Sequence, residues 1–303
     1  LDLKPGDEVI TSPFSFISSA NCILFEKAKP VFVDIEEDTF NIDPEKIEEA
    51  ITDKTKAILP VHIFGHPADM DKIQKIAKEH NLKIIEDACE SLGAEYNNQK
   101  IGTFGNPAVF AFYPNKQITT AEGGMIITDN EEQYNLFKSL SNQGRSDDGQ
   151  WLTHDKLGYN YRLNGLSCAL GIEQLKKIDF ILKERQKIAD QYNEILSKNK
   201  NIEILKDKPY AKRSWFVYIV RIKNNRNKVI ESMKEKGIAT KPYLPAIHLQ
   251  PFYKELGYKN YPICEKISSS TIALPFYIGL TSENIKYICE TLTNLIKNGM
   301  MKI

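Results

Sequence analysis

A lone lysine placed just past an aromatic strand is where chemistry could start in this chain. The segment Phe110-Ala111-Phe112-Tyr113-Pro114-Asn115-Lys116-Gln117-Ile118-Thr119-Thr120-Ala121-Glu122-Gly123-Gly124 runs from apolar residues through a proline into Thr-Thr and Gly-Gly turns. The strand stops at Pro114, so the Lys116 amine is presented at a strand end, where open α/β sheets place ligands. Aromatic walls that exclude water make an ammonium give up its proton more readily. The free amine can then attack a carbonyl carbon to form a Schiff base. An ordinary lysine in a surface loop fits the same residues, and this segment alone leaves both readings open.

A second element is Lys83-Ile84-Ile85-Glu86-Asp87-Ala88-Cys89-Glu90-Ser91-Leu92-Gly93, in which an apolar strand runs into adjacent acids and then small residues. Carboxylates at the end of a buried strand are costly unless something positive meets them. A protonated ring nitrogen of a bound cofactor is one such partner. Strand alternation sends Glu86 and Asp87 to opposite faces, so only one of them can serve it. The competing reading is a helix N-cap by Asp87. His62 and His66 flank Phe64 and Gly65 with no third ligand at a recognisable spacing, and they read as structural polar groups, with no metal site.

The elements that must position these groups alternate. Short β-branched runs fall at 8–11, 30–35, 57–63, 83–87, 108–112 and 124–128, with amphipathic stretches at 44–50, 70–79 and 131–140. This is the pattern of βαβ units around a sheet buried on both faces. One long helix is expected from about Leu163, with Leu166, Leu170, Ile172, Leu175, Ile178 and Ile181 at helical spacing. A smaller α+β unit follows, with a strand near 215–222, a helix near 228–236, an extended stretch at 240–244 and a closing helix at 282–297. The expected division is 1–180 for a large domain and 181–303 for a small one. Leu1 is not a methionine, and Lys4-Pro5-Gly6-Asp7 turns straight into a strand, so an upstream portion of the large domain is expected to be missing.

Bulk properties narrow the function classes. At 303 residues and 42% hydrophobic content the chain can bury a sizeable core. Forty Lys and Arg balance forty Asp and Glu, so electrostatic capture of nucleic acid or of an anionic membrane has no support. Five cysteines, odd in number and without a CxxC pair, argue against a disulfide framework or a zinc site and point to reduced cytoplasm. No apolar run approaches the roughly 20 residues of a membrane span.

Taken together and in order, Glu86-Asp87-Ala88-Cys89, Gly102-Thr103-Phe104-Gly105, the lysine segment with Glu122-Gly123-Gly124, and Gly158-Tyr159-Asn160-Tyr161-Arg162-Leu163 resemble the DegT/DnrJ/EryC1/StrS sugar aminotransferases. Pro5-Gly6-Asp7-Glu8-Val9-Ile10 and Pro242-Tyr243 to His248 extend the likeness over essentially the whole chain. The resemblance implies an aspartate-aminotransferase-like (fold type I) architecture, with a mainly parallel central sheet, helices on both faces and a smaller C-terminal α+β domain. It implies pyridoxal 5'-phosphate (PLP, with its amino form PMP) as cofactor, and ping-pong transfer of an amino group from L-glutamate to a nucleotide-linked keto-sugar in surface polysaccharide or glycan biosynthesis. By the same carry-over Lys116 is the covalent anchor and proton carrier, Asp87 the partner of the ring nitrogen, and Phe16 an aromatic that stacks on the ring. Core packing is the alternative for Phe16.

Glu90 stands where relatives carry histidine or glutamine near the cofactor 3'-oxygen, and a carboxylate there needs a proton or a neighbour. Asn160 matches a residue that reaches the phosphate from a neighbouring subunit, which implies a homodimer with a shared site. Its alternative is to organise, with Arg162, the turn before the long helix. Ala111 departs from the pattern, since many relatives carry a serine hydroxyl for the phosphate there. For substrate, Arg145 could clamp a diphosphate or the donor carboxylate, and His248 and Tyr243 could meet the sugar. Two rivals remain: a PLP-dependent dehydratase of the same family, whose members replace the lysine, usually by histidine, and a non-catalytic regulatory or binding member. A nicotinamide-type Rossmann enzyme is a poorer fit, for no Gly-x-Gly-x-x-Gly follows a strand.

Overall fold

The computed structural model describes residues 1–146, 150–223 and 225–300. Its first sheet contains β1 (Glu8–Thr11), β2 (Lys29–Phe32), β3 (Thr55–Leu59) and β4 (Lys83–Ile84), all parallel, in the order β2-β1-β3-β4. The chain continues through Ile85 into β5 (Glu86–Asp87), which pairs in parallel with β6 (Ala108–Ala111); β6 in turn pairs antiparallel with β7 (Gly124–Ile127). The amide of Ile85 donates to Ile58 O and that of Asp87 to Pro60 O. The six expected strand runs are therefore present: the first has its expected bounds, the second and third start and end earlier than expected, the fourth is interrupted at Ile85, and the last two each end one residue early; together they form a mainly parallel surface.

Alternation works on both faces of this surface. Ile10 and Ile58 point to one side, with Val33 just past β2, Ile42, and Ile47, Met70 and Ile73 from the covering helices α2 (Pro44–Ala50) and α3 (Met70–Glu79). Val9 and Leu59 point to the other, against Phe14, Phe32 and Phe64. Each such side chain, removed from water, contributes about 1.5–3 kcal/mol to folding. The helices begin where sequence chemistry starts them. Asp43 accepts from the amide of Glu45 ahead of Pro44, Asp69 from that of Lys72, and Asn130 from that of Gln133 at the start of α4 (Glu131–Ser141).

The long helix expected from Leu163 is two helices. Asn164 caps α5 (Gly165–Leu175), the amide of Lys177 closes a tight turn on Gln174 O, and α6 (Ile178–Leu196) starts afresh with Ile181 N donating to Lys177 O. The two carry separate apolar stripes. Ile188, Tyr192 and Leu196 of α6 are buried, whereas Leu166 of α5 is 87% exposed and no residue of α5 is buried. The expected stripe thus divides at the break, and its first half is an uncovered apolar surface of this chain.

Beyond α6, β8 (Ile202–Ile204), β9 (Tyr218–Ile222) and β10 (Thr271–Leu274) form an antiparallel sheet with β9 central. It is packed by α6, α7 (Arg226–Glu235) and a C-terminal helix at Ser282–Met300. The extended stretch at 240–244 joins it by one bridge, Lys241 to Ala273. Residues 246–267 lie in the expected second domain, yet Ala246, Ile247, Tyr253, Cys264 and Ile267 are buried in the core of the first sheet. Among the described residues no helix is long and apolar enough to cross a membrane.

Candidate active site

The adjacent acids separate as alternation requires. Glu86 is fully buried, and its carboxylate accepts from the amides of Gly102 (2.8 Å), Phe104 (2.7 Å) and Gly105 (2.5 Å) and from His62 Nε2 (3.1 Å). His62 Nδ1 accepts from the amide of Ala68 (3.0 Å), so the ring proton sits on Nε2 and points at Glu86. The Gly102–Gly105 turn is thus a nest of amides for a buried anion. A Cβ on Gly105 would come within 3.0 Å of Ile84 O and 3.2 Å of Glu86 Cγ. Burial alone would raise the Glu86 carboxyl, but the bonds from His62 and from the amides of Gly105 and Gly102 outweigh it and hold the group below its ordinary 4.5.

A stability prediction arises here. Glu86→Ala leaves three amides and a histidine N–H without their acceptor, and should cost about 3 kcal/mol or more in denaturant unfolding. Because the folded carboxyl is lowered, its contribution is full above about 4.5 and is lost as pH falls through the folded value. The wild-type curve should therefore fall on the acid side more steeply than that of Glu86→Gln. Parallel curves would deny Glu86 this role.

Asp87 faces the other way. Its Oδ2 accepts from Ser19 Oγ (2.7 Å), and its Oδ1 from the amide of Cys89 (3.1 Å). The second bond is a local turn of the kind the cap reading anticipated, without a helix behind it. Ser19 lies in α1 (Ser18–Phe25), whose first turn closes with Ser19 N donating to Phe16 O. Phe16 itself is 63% exposed, while Phe14 is the buried member of the pair. Core packing therefore does not account for Phe16, which is exposed at the start of the helix that carries Ser19.

Lys116 is delivered from the next strand. In the parallel β5–β6 pair, Glu86 is opposite Ala108 and Asp87 opposite Val109, so both strands end on the same side. The loop after β6 is folded tightly: Thr120 N donates to Phe112 O, Phe112 N to Gly123 O, and Lys116 N to Tyr113 O. Gln117 clamps it, donating through Nε2 to Glu90 O (2.8 Å) and Ser214 Oγ (3.1 Å). The Lys116 side chain is 13% exposed, with Nζ 3.9 Å from Glu90 Oε1 and 4.3 Å from the centre of the Phe216 ring. A surface-loop lysine would show none of this.

Glu90 has the neighbour that its position demands. Its Oε2 accepts from the amide of Phe64 (2.9 Å). Burial, which outweighs the pull of Lys116 and the Phe64 amide, pushes its carboxyl up to about 7. Tyr243 joins this group, edge-on to Phe64 (5.6 Å) and Phe216 (6.0 Å) and close enough to Glu90 for that charge to raise its phenol further above its ordinary value, burial being the main cause.

The remaining candidates lie apart from this cluster. Asn142–Arg145 and Gly158–Arg162 fold against each other as a ribbon: Asn142 bridges Asn160, Gln143 N donates to Tyr159 O, and Arg162 Nη1 donates to Asn142 Oδ1 (2.7 Å) and Gln143 Oε1 (2.6 Å). Arg162 thus organises the turn, and Asn160 is exposed on it. Arg145 bridges His154 and lies 5.6 Å from the Trp151 ring centre. His248 is buried, 3.1 Å from Glu265 Oε1 through Nε2 and edge-on to Tyr261. That is a structural setting rather than an open one. Ser19, Gln117, Ser214 and Phe216 were missed. Ser19 sits in a helix that the strand-and-helix periodicity did not show, and Phe216 and Ser214 come from about a hundred residues away.

An acceptor carboxylate, a sheltered amine in the loop after the neighbouring strand and an open aromatic ring form a set that fits an aldehyde-bearing, cationic heteroaromatic such as PLP. Ala111, the last residue of β6, offers a methyl group and no donor. The family model described as DegT/DnrJ/EryC1/StrS aminotransferase matches residues 1–293. GDP-perosamine synthase of Escherichia coli O157:H7 is 37% identical over 294 residues, covering 96% of this chain and 80% of that protein. The structure of PseC of Helicobacter pylori, an aminotransferase involved in pseudoaminic acid biosynthesis, superposes with a TM-score of 0.94 at 30% identity over 98% of this chain and 82% of its own. Spr1654 of Streptococcus pneumoniae, in its PLP form, gives 0.93 at 29% identity over 98% and 82%. A PMP form of the same protein is also known.

Proposed function

Since the chain belongs to the DegT/DnrJ/EryC1/StrS aminotransferase family, we propose that it is a PLP-dependent enzyme that moves an amino group from L-glutamate to a nucleotide-linked keto-sugar in surface polysaccharide or glycan biosynthesis. The observation that carries this reading is the pairing of β5 with β6, which sets the Asp87 carboxylate and the Lys116 amine at neighbouring strand ends, one held by Ser19 and the other sheltered by Phe216 and Glu90.

Bound here, PLP would supply an electrophilic aldehyde and an electron-withdrawing ring. The protein's part is binding and proton movement. Asp87 holds a proton at the ring nitrogen, and Phe16 offers its open face to the ring. Lys116 Nζ anchors the cofactor and then carries the proton from the donor α-carbon. Tyr243, packed edge-on against the Phe216 ring that covers the amine, meets the sugar; Arg145 and His248 would need to act from outside the cluster or through a rearrangement. The retained Lys116 argues against the dehydratase reading and the assembled site against a silent regulator.

The uncovered apolar face of α5 and the ribbon bearing Asn160 support a homodimer in which Asn160 serves the partner's cofactor phosphate. A cytoplasmic protein with a large unit to about residue 180 and a smaller unit beyond it completes the proposal. Borohydride reduction of the PLP-loaded protein, followed by peptide mapping, should place the adduct on Lys116. L-glutamate should yield 2-oxoglutarate, with the aminated sugar found by mass in a panel of nucleotide 3-keto and 4-keto sugars. An adduct on another side chain would reject the assignment.

A further inference from the structure

We infer that Glu90 is the proton partner of Lys116, so that the reactive amine is neutral while the acid is protonated. The inference rests on the proposed role of Lys116 and adds a second catalytic group to it. Glu90 Oε1 forms an ion pair with Lys116 Nζ at 3.9 Å, while Oε2 is tied to the amide of Phe64. This is about one ångström beyond a direct hydrogen bond, a gap that the four-carbon lysine stem closes with a small rotation. Both side chains are sheltered, Glu90 at 7% exposure and Lys116 at 13%.

Sheltering couples their charges. Were Lys116 to release its proton to water, Glu90 would remain as a buried anion without a counter-charge, which is unfavourable. Passing the proton to Glu90 avoids this: the N–H bond breaks, an O–H bond forms at Oε1, and the pair goes from one positive and one negative charge to two neutral groups. Among the described residues Lys116 forms an ion pair with Glu90 and none with Asp87, whose oxygens face Ser19 and the amide of Cys89. The other groups facing Glu90 act in the same direction or are neutral. Asp87 disfavours a second anion beside it, Phe216 presents a ring, and Tyr243 and Cys89 are held protonated chiefly by burial. Glu90 itself titrates near neutrality, at about 7.

Two interacting groups titrate as a unit, which gives a signature separate from turnover. In the intact protein freed of cofactor, acetic anhydride labelling of Lys116, read by peptide mapping, should rise with pH in two steps. In Glu90→Gln, which keeps an acceptor for the Phe64 amide, the rise should be a single step at lower pH than the wild type's upper one. The carboxylic-acid infrared band of Glu90, identified by its loss in Glu90→Gln, should persist to higher pH in Lys116→Met, where the counter-charge is gone. Identical labelling in wild type and Glu90→Gln, or an unmoved band, overturns the inference while leaving borohydride trapping at Lys116 intact. Failure of the trapping itself would instead remove the reading beneath it.

Discussion

Replacing Lys116 with alanine should lower amino transfer by about 10⁴-fold or more, because one substitution removes both the covalent anchor and the proton carrier. The absorbance of the cofactor's covalent link should vanish as well, while the fold persists. Lys116 makes no side-chain contact that the core depends on: its amine faces Glu90 and the Phe216 ring, and its loop is held by the backbone bonds of Phe112 and by Gln117. Lys116→Arg is the sharper control. It keeps the cation beside Glu90 but not a nucleophilic amine, and it should be equally inactive. Appreciable turnover in either variant rejects the mechanism.

The same variant tests the shared site. If Asn160 serves the neighbouring subunit, mixed dimers of Lys116→Ala and Asn160→Ala protomers contain one pocket with both residues intact. Unfolding and refolding the two together should then restore a fraction of wild-type activity that neither shows alone. No recovery from a demonstrated hybrid would place both residues in the service of one protomer.

How far the sequence discloses such a site depends on which interactions are local. Lys116 and Asp87 follow from the rule that parallel strands end together at the ligand edge, and the helices at 44–50 and 70–79 follow from Asp43, Pro44 and Asp69. Alternation correctly separates Glu86 from Asp87, but it leaves open which acid turns inward. That choice is made by the amides of the Gly102–Gly105 turn, visible only when the chain returns. Phe216 and Tyr243 arrive from the other end of the chain, and no periodicity near Lys116 announces them. The apolar stripe through Leu166 and Leu175 reads as one with that of α6, since spacing does not show what covers a helix.

Asp87→Asn should be the most informative loss after Lys116. Asparagine retains an oxygen for the amide of Cys89, and the Ser19 hydroxyl can turn to accept from the new amide instead of donating to Oδ2, so the local turn survives. What disappears is the negative charge, and with it the means to keep a ring nitrogen protonated. Removing one pre-organised electrostatic partner of the reacting system costs about 10²–10³-fold in turnover. Ser19→Ala, by contrast, leaves the charge in place and removes a single hydrogen bond to it, worth about tenfold. Equal losses in the two variants would mean that Asp87 merely supports the turn between β5 and Cys89. A loss in Asp87→Asn far exceeding that in Ser19→Ala, at unchanged thermal stability, would assign the effect to charge.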